Sequence, residues 1–332
     1  MQRIVESMTL ADIAQLSGFE PFADYLMECG PAAHERTYGT PIASLRAEQG
    51  DAYADDVMAG LSRLDQIVQT RADVLLDVWS PDEQARDAGK ARAKLACFLA
   101  EPGAPFVMVV PGGGYNVVCS YLEGYPAATR LNAAGYNAFV LSYRTREDAH
   151  MPSPLEDLAQ ALRLVLARAD EWGIERRYAL MGFSAGGHLA GLMGTAAHGW
   201  SHWGLSRPEA MALCYPALDL RTLARPDAHP FVREMLSIIL DGNPSEADLA
   251  LWSVTEQADA SFPPTYLWQC EDDDIVPFEN LRLMERQLTR LGVAHQARSY
   301  AHGGHGLTLP HDAEADRWMD GVLAFLTHQM PT

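Results

Sequence analysis

The rhythm of apolar and polar positions changes near residue 72. Before it, apolar residues recur at helical spacing. Val57, Leu61, Leu64, Ile67 and Val68 share one face of the stretch 51–71, and shorter amphipathic pieces cover residues 10–16 and 22–27. Gly30-Pro31 and Gly39-Thr40-Pro41 punctuate them. After residue 72, apolar runs of strand length stand at 74–79, 95–99, 106–110, 137–143, 178–181, 211–216, 265–270 and 295–300. Helical stretches alternate with them. Residues 154–171 place Leu155, Leu158, Leu162, Val165 and Leu166 on one face, with Pro154 in the first turn. Residues 185–197 are small and apolar, as a buried helix would be. This alternation predicts the α/β class: a mainly parallel twisted sheet with helices on both faces. The expected organisation is an N-terminal helical extension, 1–71, followed by the main domain, 72–332. The alternation breaks at about 217–263, where Pro226, His229-Pro230, a short helix near 231–240 and Trp252 predict a small cap-like insertion.

The run 178–181 leads into Gly182-Phe183-Ser184-Ala185-Gly186, a G-x-S-x-G sequence. Glycines on either side permit a tight strand-to-helix turn that exposes a serine hydroxyl at a helix N-terminus, where developing negative charge is favoured. Ser184 is therefore the candidate nucleophile. Such a serine needs a base, and the base needs a carboxylate to orient it. Glu271-Asp272-Asp273-Asp274 follows the run 265–270, and Asp273 is the preferred acid because it opens a D-x-x-V-P pattern with Val276-Pro277. Asp272 is its rival, and a solvated acidic loop is the plainer meaning of such a run. His302-Gly303-Gly304-His305-Gly306 follows the run 295–300. His305, flanked by glycines, suits an imidazole that must approach other backbone, and His302 is the alternative. Pro111-Gly112-Gly113-Gly114-Tyr115 follows the run 106–110. The N–H groups of Gly113, Gly114 and Ala185 are candidates for holding an oxyanion. A phosphate-binding loop is disfavoured, since no G-K-[ST] follows. Tyr115, Phe183, Phe231 and Trp252 are candidates for touching substrate, with Leu240, Trp200 and Trp203 as further aromatic or apolar neighbours.

Taken together, these motifs resemble the α/β-hydrolase esterases that include bacterial acetylxylan-esterase-like and feruloyl-esterase-like proteins. The resemblance runs from about residue 74 to the C-terminus and adds Glu123-Gly124 and Gly135-Tyr136-Asn137-Ala138-Phe139-Val140-Leu141-Ser142-Tyr143-Arg144 to the elements above. Pro111 stands where hormone-sensitive-lipase-like esterases carry a histidine, so that branch matches less well. The extension has no counterpart in the minimal fold. The resemblance implies a serine carboxylesterase acting on short acyl esters, with sugar or xylo-oligosaccharide acetates among the substrates and no cofactor or metal. A thioesterase or serine peptidase could use the same residues, and a non-catalytic ligand receptor is the alternative outside enzymes.

Composition narrows the partners. A net charge of −19 repels phosphate backbones and anionic lipid, so nucleic acid and membrane are disfavoured and a small-molecule ester is expected. Cys29, Cys97, Cys119, Cys214 and Cys270 are odd in number and scattered, the pattern of free thiols in a reducing compartment. The first ten residues lack the apolar stretch of a signal peptide, and no apolar run reaches membrane-spanning length, which together predict a cytoplasmic protein. No pattern in the chain encodes a homo-oligomer or its absence.

Overall fold

The computed structural model describes residues 3–100, 102–240, 242–308 and 313–332. Eight strands form one sheet: β1 (Leu75–Asp77), β2 (Lys94–Phe98), β3 (Phe106–Val110), β4 (Asn137–Ser142), β5 (Tyr178–Phe183), β6 (Ala210–Cys214), β7 (Thr265–Cys270) and β8 (His295–Tyr300). Their order across the sheet is β1-β2-β4-β3-β5-β6-β7-β8. β2 runs antiparallel to both β1 and β4, and every other pairing is parallel. Strands β3 to β7 are buried at every residue, which is why they read as continuous apolar runs rather than as alternation. β8 lies at the sheet edge and is largely exposed.

Among the described residues, four α-helices precede the sheet: α1 (Leu10–Ala14), α2 (Pro31–Gly39), α3 (Ala43–Gln49) and α4 (Asp51–Thr70). α5 (Pro81–Arg86) follows β1. It begins at a capping box in which Ser80 and Glu83 satisfy each other's backbone N–H groups. α6 (Tyr125–Ala133) joins β3 to β4. α7 (Ser153–Ala167) and α8 (Ala169–Trp172) join β4 to β5, so the single helix expected over 154–171 breaks at Arg168. α9 (Ser184–Gly194) follows β5. Residues 217–263 hold α10 (Leu220–Leu223), α11 (Pro230–Ile239), α12 (Glu246–Trp252) and α13 (Val254–Gln257). α14 (Glu279–Leu291) and α15 (Trp318–Gln329) complete the chain. Residues 22–27 do not make the expected amphipathic piece. A 3-10 turn, Glu20–Phe22, buries Phe22 and the chain then turns.

The alternation within β3 separates two cores. Phe106, Met108 and Val110 face Leu155, Leu158 and Leu162 of α7, Leu189 and Leu192 of α9, and Leu281 and Met284 of α14. Val107 and Val109 face the opposite core, with Leu131 of α6 and Val322 and Phe325 of α15. That second core also contains Leu10, Ile13, Phe19, Phe22, Val57, Leu61 and Leu64. Residues 3–71 thus bury apolar side chains in the core on this face of the sheet. The parallel strands bring the residues after β3, β5, β6, β7 and β8 to the same edge of the sheet, where open α/β sheets place their sites.

Candidate active site

The turn after β5 is as tight as its glycines require. Ser184 has a φ of 49°, a left-handed conformation that a non-glycine residue holds only under constraint. A Cβ at Gly182 would lie 2.4 Å from the Gly186 carbonyl oxygen, and one at Gly186 would lie 2.1 Å from that of Val110. Strand, helix and the neighbouring β3 therefore meet backbone to backbone at this point. Ser184 is the first residue of α9 and is 6% exposed.

His305 stands in a short helical turn, His305–Leu307, entered through Gly304 at φ 62°. Its Nε2 lies 2.9 Å from Ser184 Oγ, and its Nδ1 lies 2.9 and 3.1 Å from the two Asp273 oxygens. The carboxylate at Nδ1 fixes the tautomer. Nδ1 carries the hydrogen, and the bare Nε2 accepts from the serine hydroxyl. Asp273 is held from every side, accepting from the N–H groups of Ile275 and Val276 and from Gln269 Nε2. Its neighbour Asp272 has a different task. Burial would raise its pKa, but the N–H groups of Gly304 and Gly303 and the adjacent His302 bring it below the usual carboxylate value. Asp272 thus pins the glycines that lead to His305, and His302 points outward onto Asp272. The geometry separates the two acids and the two histidines that sequence alone leaves as rivals.

The glycine loop packs against the serine. A Cβ at Gly112 would lie 2.9 Å from both Ser184 Cβ and the Phe183 carbonyl oxygen. Gly113 and Gly114 take φ values of 124° and 63°, which glycine adopts at no steric cost. The N–H of Gly112 donates to Glu123. Among the described residues, the N–H groups of Gly113, Gly114 and Ala185 have no protein acceptor.

The four residues expected to touch substrate separate on inspection. Phe231, half-buried in α11, places its ring tip where a Cβ on Gly114 would meet it at 2.6 Å, so the insertion does reach the glycine loop. Tyr115 is fully buried, and its hydroxyl lies 2.8 Å from His188 Nδ1, so its ring faces the core instead of the cleft. Phe183 is buried against Tyr215 and Trp318, lining a cavity of about 50 Å³ beside the site. Trp252 turns its ring onto His198, beyond the far end of α9, and offers only its carbonyl to His188. Leu240 is a core residue, and Trp200 and Trp203 pack at that same far end. In each case side-chain direction, which periodicity does not encode, decided the outcome.

Sequence patterns also passed over two residues. His188, inside α9, donates through Nε2 to the Trp252 carbonyl at 2.7 Å and accepts from Tyr115, and burial lowers its pKa to about 4. Tyr215, just after β6, sets its ring edge-on to that of His305 at 4.9 Å and 74°. His188 continues the serine motif and Tyr215 lies in the run 211–216, but their partners are distant in sequence, so no local pattern assigns either one a role.

A family model described as BD-FAE matches residues 99–288. The chain belongs to the BD-FAE family. This BD-FAE protein has the α/β-hydrolase fold. It is 30% identical to the crystal structure of an acetyl ester-xyloside bifunctional hydrolase from Caldicellulosiruptor lactoaceticus, with a TM-score of 0.65 over 76% of this chain and 95% of that one. Endo-1,4-beta-xylanase B of Butyrivibrio fibrisolvens is 32% identical over 227 residues, which are 65% of this chain and 34% of that protein. An acetylxylan esterase of Xylanibacter ruminicola is 37% identical over 136 residues, 40% of this chain and 27% of its own length. The BD-FAE chain therefore spans about a third or less of these two curated relatives. Among its described residues, no helix is long and apolar enough to cross a membrane, and no group of three or more His, Cys, Asp or Glu could hold a metal ion.

Proposed function

We propose that this chain is a serine carboxylesterase that removes short acyl groups, acetyl foremost, from sugar or xylo-oligosaccharide esters. The observation that carries the reading is the hydrogen-bonded line Ser184–His305–Asp273 set beside three backbone N–H groups without a protein acceptor. In this mechanism His305 Nε2 takes the Ser184 proton as Oγ attacks the ester carbonyl. Asp273 holds the ring and stabilises the imidazolium. The N–H groups of Gly113, Gly114 and Ala185 stabilise the oxyanion. The alcohol departs with the proton from His305, and water, deprotonated by the same nitrogen, hydrolyses the acyl-enzyme. The choice of acetylated sugars is supported by the relatives, whose names include an acetylxylan esterase and an acetyl ester-xyloside hydrolase. Cytoplasmic residence is supported by five free thiols. Ser184→Ala is expected to lower kcat on p-nitrophenyl acetate and on acetylated xylobiose by roughly 10⁴-fold or more, with the fold intact by circular dichroism. Activity that survives this substitution would overturn the assignment.

A further inference from the structure

Glu123 belongs to the motif set of the chain, yet the mechanism above gives it no role. It sits in the π-helical turn Ser120–Gly124, between the glycine loop and α6. Its half-buried carboxylate faces inward and bridges two parts of the site. One oxygen accepts the N–H of Gly112, and the other accepts the Tyr215 hydroxyl at 2.8 Å. Burial raises its pKa, and these two donors together with nearby His305 offset part of that rise. The other charged groups lining the same cavity, Asp56 and Arg130, pair with each other instead.

The two donors matter for what they are attached to. Gly112 is the residue packed on Ser184 Cβ, and the next two residues carry the free N–H groups. Tyr215 stands against the His305 ring and against Gly306, where a Cβ would lie 3.2 Å from its Cζ. Its backbone is fixed by a hydrogen bond from its N–H to the Trp268 carbonyl at 2.7 Å. One carboxylate thus ties the peptide ahead of the oxyanion donors to the aromatic wall of the base. Oxyanion donors act only when held at 2.7–3.1 Å from the developing charge.

We propose that Glu123 is a positioning residue: it fixes the Gly112 peptide so that Gly113 and Gly114 present their N–H groups to the oxyanion, and it registers that loop against His305 through Tyr215. The inference rests on the serine-esterase reading given above. Its effect falls on the transition state, so it should appear in kcat more than in KM.

The test compares Glu123→Ala, Glu123→Gln, Tyr215→Phe and Ser184→Ala on p-nitrophenyl acetate, with active enzyme counted by fluorophosphonate titration. Glu123→Ala is expected to lower kcat about 100-fold, with KM changed less than about 3-fold. Glutamine keeps an acceptor for Gly112 and can donate to the Tyr215 oxygen, so Glu123→Gln should stay within about 5-fold of wild type. If the alanine protein does not fold, Tyr215→Phe, which cuts one bond and leaves the carboxylate on Gly112, should lose about 5-fold in kcat. Wild-type kcat in Glu123→Ala, a change confined to KM, a glutamine variant as impaired as alanine, or full kcat in Tyr215→Phe would each overturn the proposal. The two readings fail separately. Loss of activity in Ser184→Ala with none in the Glu123 and Tyr215 variants sinks only this inference. A wild-type activity that Ser184→Ala leaves intact sinks the esterase reading itself.

Discussion

At the scale of single residues, adjacent acids do unlike work because of where their oxygens point. Asp273 turns both oxygens to His305 Nδ1 and is saturated by backbone donors, whereas Asp272 turns to Gly303 and Gly304. The substitution to asparagine separates them. Asp273→Asn keeps the volume but presents an amide to Nδ1, which favours the wrong histidine tautomer, and kcat should fall by roughly 10³–10⁴-fold. Asp272→Asn retains an acceptor for Gly304, and kcat should fall less than about 10-fold. Steady-state rates on p-nitrophenyl acetate decide it, and equal losses in the two variants would mean that the acid is misassigned. The motif itself favoured Asp273 through the D-x-x-V-P pattern, and the physical reason is now visible. The N–H groups of Ile275 and Val276 that hold Asp273 belong to the turn that pattern makes. Glu123 shows the opposite case. Its partners lie 11 and 92 residues away, and nothing local marks them.

Elements were legible wherever burial imposed a pattern. Strands covered on both faces must be apolar throughout, and β3 to β7 stood out as such runs. The helix ends were less so, because α7 stops at Arg168 with apolar residues still following at helical spacing. The insertion was legible as an interruption, but the direction of its side chains was not. Phe231 of α11 reaches the glycine loop, whereas Trp252 of α12 turns away. This gives α11 a testable place in specificity. The Phe231 ring fills space beside Gly114, a proposed oxyanion donor, so on that reading its removal opens room beside the bound ester. Each methylene accommodated in an apolar pocket contributes about 0.8 kcal/mol, or roughly 4-fold in rate. Phe231→Ala should therefore raise kcat/KM for p-nitrophenyl butanoate relative to acetate by up to about 10-fold. An unchanged acetate-to-butanoate ratio would remove α11 from the acyl site.

At the scale of the molecule, buried polar groups join the parts, and one of them, His188, is a histidine whose charged form burial disfavours. The extension shares the second core with β3, and Leu26 and Glu28 accept backbone hydrogen bonds from Tyr121 and Val118 just beyond the glycine loop. On the other face, His188 joins three pieces at once: its own helix α9, Tyr115 of the glycine loop, and the Trp252 carbonyl of the insertion. Its ring must be neutral to accept from Tyr115. Folding lowers its pKa from 6.5 to about 4, chiefly by burial. Between those values the unfolded chain binds a proton that the folded chain refuses, so stability falls as the pH falls through this window. The loss is complete below about pH 4 and amounts to about 3 kcal/mol. Acidification also protonates carboxylates in a chain of net charge −19, which relieves repulsion and works in the opposite direction. A comparison with His188→Gln isolates the histidine, since glutamine can accept from Tyr115 and donate to Trp252 without titrating. Urea unfolding at pH 7 and pH 4.5 should show the wild type losing about 2–3 kcal/mol more than the variant between the two. Parallel losses would mean that His188 is not what couples proton binding to the integrity of this junction.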